Sequence, residues 1–532
     1  MKNTRKAITP LLGSIAALLL GSALPPSAQA GQNWDGNGGL GTNVWTNATN
    51  WDADTLPSFL LPLNFTTAFK LANTNDNPAG TIMNGIGFDG GAGAFVLSGN
   101  LINLASGGVV NNSANLQTIN LALTLSGANT FAANTANLTF TTLSPIILGG
   151  NVLTLQGANT ITFNTNIDVL PTTGSLVING GAAAGSGTVA FNSAGPGNNY
   201  AGPTNVNNGL VTMTGASTTT LGTGILTIGD GIGAQGTAIV RNLTSNMLSN
   251  TQALLIDSDG RYDLNGLTET VGSIASTGAT QANSQIFLGN GGALTSGNGT
   301  NTTFQGIISD AGATGGSITK LGTGVWTLTG ANTYKNGTTV TAGTLAVGDV
   351  NAGGGSGSTV AQAGLGVINV GAAGTLRWDL ASGQAEFNNM GLIAGSIVNA
   401  TPAAGGFQTL SGLIFGTGTF NQNGPGLTIL TFTNTFSGPV NVLAGSLSVG
   451  NASTGAVNNF ATVGALANVV TVNGGIPGAT LFVDLQPNES FSHPVTLTGA
   501  ADQLIFASPF AQTVSGLITG PGSVSESNFE PL

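Results

Sequence analysis

The sequence predicts an all-β chain, an elongated right-handed parallel β-helix built of degenerate repeats, with almost no helix after residue 30. Composition, alternation and repetition carry that expectation. The 532 residues include 85 glycines, no cysteine and one histidine, and only 5% are charged, against roughly 25% in ordinary soluble domains. Hydrophobic residues make up 41% of the chain, enough to bury a core and too many for disorder, which goes with low hydrophobicity. Short runs alternate in the period of two that a half-buried strand requires, as Val325, Thr327 and Thr329 do against Trp326 and Leu328. Finally, one phrase recurs along the chain, the mark of a solenoid.

In chain order, residues 1–30 read as an export signal. Lys2, Arg5 and Lys6 precede an uncharged run from Ala7 to Leu24, and Ala28-Gln29-Ala30 supplies a small-x-small site, so cleavage is expected between Ala30 and Gly31. An uncleaved membrane anchor is the other reading, and Pro10, Gly13, Pro25 and Pro26 argue against it. No later stretch reaches 18 uninterrupted apolar residues, so no transmembrane segment is expected in the mature chain. Residues 31–60 hold Trp34, Trp45 and Trp51. These read as a cap over the end of the solenoid, or as a glycan-stacking platform, since an exposed indole offers an apolar face to a sugar ring.

Residues 61–532 form the repeat region. Its fullest copy lies at 318–349 and includes LGTGVWTLTGANTYKNGTTVTAGTLAVGD; shorter or degraded copies stand near 123–164, 187–215 and 424–451. Each copy reads as two or three short strands joined by turns at Gly and Asn, which tolerate tight corners. Stacking such units places equivalent side chains about 4.8 Å apart, so like charges would repel while Asn, Thr and Ser could form hydrogen-bonded ladders. The scarcity of charge follows from that geometry.

The stretch from Lys320 to Asp349, with KLGTG, WTLTGANTY, GTTV and AGTLAVGD, resembles the autotransporter-associated β-strand repeat. The segment YDLNGLTETVGSIASTGATQANSQIFLGNGGALTSGNGTNTT followed by FQGIISD, and the Trp-rich opening from Asn33 to Pro57, are similar to what accompanies that repeat. The resemblance implies a β-helical passenger displayed at, or released from, the surface of a Gram-negative-type bacterium, outer-membrane associated if a translocator follows. It implies no single activity, because a repeat of this kind is a scaffold. The segment from Thr513 to Phe529 parallels the openings of other repeats, so the chain is expected to break off within a repeat; export without a barrel of its own is the alternative.

The residues for chemistry are few. Without cysteine there is no thiolate metal site or thiol nucleophile, and an acidic chain of net charge −11 has no electrostatic reason to hold nucleic acid. Asp257, Asp259 and Asp263 in DSDGRYD resemble the first half of a calcium loop, or form a polar turn in which Arg261 neutralises one carboxylate. Asp52 with Asp54, and Asp484 with Glu489 near His493, are the other acidic pairs, and the latter read more simply as a corner between Pro487 and Pro494. No catalytic residue, cofactor or metal is assigned. The expected function is a non-enzymatic surface protein for structural display or adhesion, with polysaccharide, other surface proteins or a second copy as partners. An extracellular polysaccharide lyase or glycosidase on a β-helix, and a self-assembling surface-layer or biofilm component, are the alternatives.

Overall fold

A computed structural model describes residues 32–527 except 40–42, 142–144, 169–171, 181–186, 193–196, 217, 349–361, 451–461, 464–467, 488, 509 and 511–512. The signal-cleavage residues Ala30 and Gly31 lie outside the described residues. Among the described residues there is no α-helix, only 3-10 turns at Ala48–Asn50, Asp52–Asp54 and Gln281–Asn283. No helix among them is long and apolar enough to cross a membrane. The strands pair in parallel from coil to coil, as a β-solenoid requires.

The alternation read in the sequence becomes ladders of stacked side chains. On one face Leu63, Ile86, Val109, Phe131, Leu155, Ile178, Val206, Ile228 and Ile256 lie one above the next. On another, Val189, Val211, Val240, Tyr262, Ile286 and Ile308 do the same. Toward the C-terminal end the ladder runs Trp326, Leu345, Leu376, Val398, Phe420, Val440, Val470 and Val495. All of these are buried. Each such side chain contributes about 1.5–3 kcal/mol by leaving water. Phe140, Phe163 and Phe191 stack with ring centroids 5.0 and 5.3 Å apart, a spacing the parallel ladder imposes.

The coils differ in length: 20 residues separate Phe420 from Val440, but 31 separate Leu345 from Leu376. Turns absorb the difference and the strands keep register. Some turns leave no room for a side chain. At Gly416, φ is +101°, and an added Cβ would stand 1.9 Å from the carbonyl oxygen of Leu392 in the coil below.

The outer faces carry the polar ladders. Asn399, Asn421 and Asn441 stack in register and continue into Thr471, Thr496 and Thr519. Asn421 Nδ2 donates to Asn399 Oδ1 at 3.0 Å, and Asn441 Nδ2 to Asn421 Oδ1 at 2.9 Å.

The N-terminal tryptophans correct one expectation. Trp34, Trp45 and Trp51 are fully buried, so no indole face is open to a sugar ring. Trp34 and Trp51 meet edge to face at 5.1 Å, and Phe65 of the next coil packs against all three. Each indole N–H finds an acceptor: the Phe69 carbonyl, Asn73 Oδ1 and the Trp45 carbonyl. Satisfying those donors is what permits burial of such large rings.

Candidate functional site

The repeated phrase has a structural role at its corner. Asn332 accepts from the Ile308 N–H of the coil below and donates to the Gln362 carbonyl of the coil above, at 2.8 and 2.7 Å. Asn198 does the same between Ile167 and Thr220, and Asn434 accepts from Ile414 N–H at 2.8 Å. Two residues on, Tyr334 and Tyr200 point inward, each hydroxyl meeting a threonine, Thr338 at 2.6 Å and Thr204 at 2.7 Å. In the third copy Phe436 stands for the tyrosine and Val440 for the threonine, both buried. The hydroxyl pair is kept whole or lost whole, as burial of a polar group demands.

The start of the phrase behaves similarly. Lys320 is buried, and its Nζ donates to the carbonyls of Leu321, Gly322 and Ala342 at 2.5, 3.0 and 3.3 Å. Burial lowers the ammonium pKa. Gln422 takes the same place in the later copy, its Nε2 donating to the Gly424 and Gly426 carbonyls. A donor is needed because the Gly-x-Gly turn aims carbonyls inward.

The structure turns one of the three candidate calcium residues, Asp263, to other partners. Asp259 accepts from Gly231 N–H at 2.8 Å and from Thr237 Oγ1 at 3.0 Å. Asp257 accepts from Ser258 N–H. Asp263 Oδ2 takes Arg241 at 2.9 Å and Arg261 at 3.5 Å, and its Oδ1 takes the Asn265 N–H. The calcium-loop reading is therefore corrected: Asp263 is committed to two guanidinium groups, and among the described residues no three His, Cys, Asp or Glu side chains converge as a metal site. His493, the one histidine, is buried against Phe491 with its Nδ1 unpaired, and burial lowers its pKa.

Two groups escaped the sequence reading. The first is a motif repeated at a distance: Arg261-Tyr262-Asp263-Leu264 followed by Glu269, and Arg377-Trp378-Asp379-Leu380 followed by Glu386. Both glutamates point into the core and are 1% and 3% exposed. The recurrence of Arg-aromatic-Asp-Leu was the available signal. The second is a set of exposed apolar side chains, with Phe387 71%, Phe432 46% and Phe415 37% exposed. Phe415 stacks in register on Gly391, and no periodicity marks it as outward.

Fold and corner together define a class, the parallel β-solenoids assembled from degenerate coils. Within it, residues 183–213, 318–347 and 420–449 match the family described as the passenger-associated-transport-repeat. The three matches contain the Asn198, Asn332 and Asn434 corners. The chain is also similar to the adhesin BmaC autotransporter of Brucella suis biovar 1 (strain 1330), 29% identical over 210 residues, which cover 38% of this chain and 6% of that protein. The chain thus matches only a small part of the relative's length. No solved structure matches.

Proposed function

We propose that the chain is an exported, non-enzymatic surface protein that serves adhesion or structural display. The observation that carries this reading is the threefold match to a passenger repeat on a parallel solenoid; similarity to a protein named as an adhesin supports it. The outer ladders of Asn and Thr suit many weak hydrogen bonds to polysaccharide or to other surface proteins. The charged groups support a scaffold over a lyase or glycosidase, which would gather carboxylates in one groove. Here Asp263, Asp310 and Asp379 are paired with Arg241, Lys335 and Arg377. The test is a glycan array and whole-cell binding with the purified chain, alongside a reducing-end assay on the bound polysaccharides. Retention without product release is expected; release of new reducing ends would overturn the reading.

A further inference from the structure

Glu269 and Glu386 each follow a copy of the Arg-aromatic-Asp-Leu motif, 8 and 9 residues after its arginine, and their surroundings differ. Glu269 Oε2 accepts from Asn242 Nδ2 and from Met247 N–H, both at 2.8 Å, and Oε1 accepts from Thr270 N–H. Glu386 has only Oε1 engaged, by the N–H groups of Phe387 and Asn388 at 3.1 Å. Its Oε2 is buried and has no hydrogen-bond partner among the described residues. The side chain is 3% exposed and stacks in register beneath Leu410. An ionised carboxylate in that place keeps one oxygen stripped of water and unpaired, the most costly state of the group. Protonation removes the charge and most of the cost.

We propose that Glu386 is a proton-dependent joint in the solenoid: its coil packs tightly with the carboxyl protonated and loosens when the carboxyl ionises. Among the described residues, the groups around it neither supply a compensating charge nor move the transition elsewhere. From the coil below, Tyr334 is the titratable neighbour, and burial keeps its phenol neutral far above its ordinary range. From the coil above come Leu410 and Gln408. On its own coil, Asp379 and Arg377 bind each other at 2.6 Å. Burial pushes the Glu386 carboxyl up to about 7, against the pull of its two backbone donors. The folded pKa lies above that of an exposed glutamate near 4.5. The stabilisation is therefore complete below about 4.5, declines as pH rises, and is lost once pH passes about 7.

The experiment is hydrogen exchange with mass spectrometry on the full chain from pH 5 to 8.5, rates corrected for the pH dependence of free amides. Peptides covering 384–392 report the joint, and peptides covering 204–213, a strand with no titratable side chain, serve as an internal reference. Protection at 384–392 should fall by up to about tenfold per pH unit until about pH 7 and then level off. Glu386→Gln and Glu386→Leu should abolish that slope. A flat wild-type profile at 384–392 would overturn the proposal, and so would a slope that survives in either variant. The wild-type profile decides even if both variants fail to fold.

Discussion

The coil of Arg261–Glu269 and the coil of Arg377–Glu386 share a motif and a fold, and they have resolved its polar groups differently. In the first, Tyr262 donates to Asn242 Oδ1 at 3.2 Å while Asn242 Nδ2 serves Glu269, so the buried hydroxyl, amide and carboxylate satisfy one another. In the second, Trp378 stands for the tyrosine, its indole N–H reaching the Met390 sulfur at 3.4 Å, and Glu386 is half satisfied. The ion pairs differ too. Beneath Asp263 lies Arg241, whereas beneath Asp379 lies Gly348, so one aspartate holds two guanidinium groups and the other holds one. Keeping a motif thus fixes which way the side chains face; the neighbouring coils decide whether their hydrogen bonds are complete.

The largest expected effect tests that difference directly. Glu269→Leu orphans Asn242 Nδ2 and the Met247 N–H, and should destabilise its coil by about 2–5 kcal/mol. Glu386→Leu removes the unpaired oxygen and extends the stack of Leu410 and Leu430, but it also frees the Phe387 and Asn388 N–H groups, so at pH 8 it should cost no more than about 1–2 kcal/mol. Local hydrogen exchange is the suitable measurement, since long repeat arrays depart from two-state unfolding. Equal losses at the two sites would break the comparison.

A smaller effect sharpens it at the repeat corner. Phe436→Tyr places a hydroxyl against Val440 with no partner and should cost about 1–3 kcal/mol, while Tyr334→Phe loses one neutral hydrogen bond and should cost about 1 kcal/mol. The double variant Phe436→Tyr with Val440→Thr should recover much of the first loss, read as a coupling between neighbouring sites. The smallest effect is at the ion pairs. Arg377→Met removes the one guanidinium on Asp379 and should cost about 1 kcal/mol; Arg261→Met leaves Arg241 on Asp263 and should cost less. Local hydrogen exchange at low and high salt would check the order, with the difference shrinking at high salt.

Much of the architecture was legible because a parallel solenoid writes its geometry into composition. Stacking at strand spacing excludes repeated charge, and alternation marks the inward positions, so the sequence of Val325–Leu328 already assigns Trp326 and Leu328 to the core. The Asn399–Asn421–Asn441 ladder answers the expectation of hydrogen-bonded amide stacks. Trp34, Trp45 and Trp51 were ambiguous, because a cluster of indoles serves equally as a plug or a platform until burial is known. Asp263 misled for a related reason: carboxylates at alternate positions look like a ligand set, yet beside the neighbouring Arg261 a second partner, Arg241, reaches Asp263 from 22 residues earlier, in the coil below.

Strand periodicity and corner residues are local properties, so an all-β repeat chain with an apolar inner stripe could be read from the residues alone. Which polar groups are complete is a property of the assembled coils. Whether a buried carboxylate, hydroxyl or guanidinium finds its partner depends on what the adjacent coils place within about 3 Å of it. Those coils are tens of residues away along the chain, and their lengths vary. That is why Glu269 and Glu386 look alike in the sequence and differ in the fold.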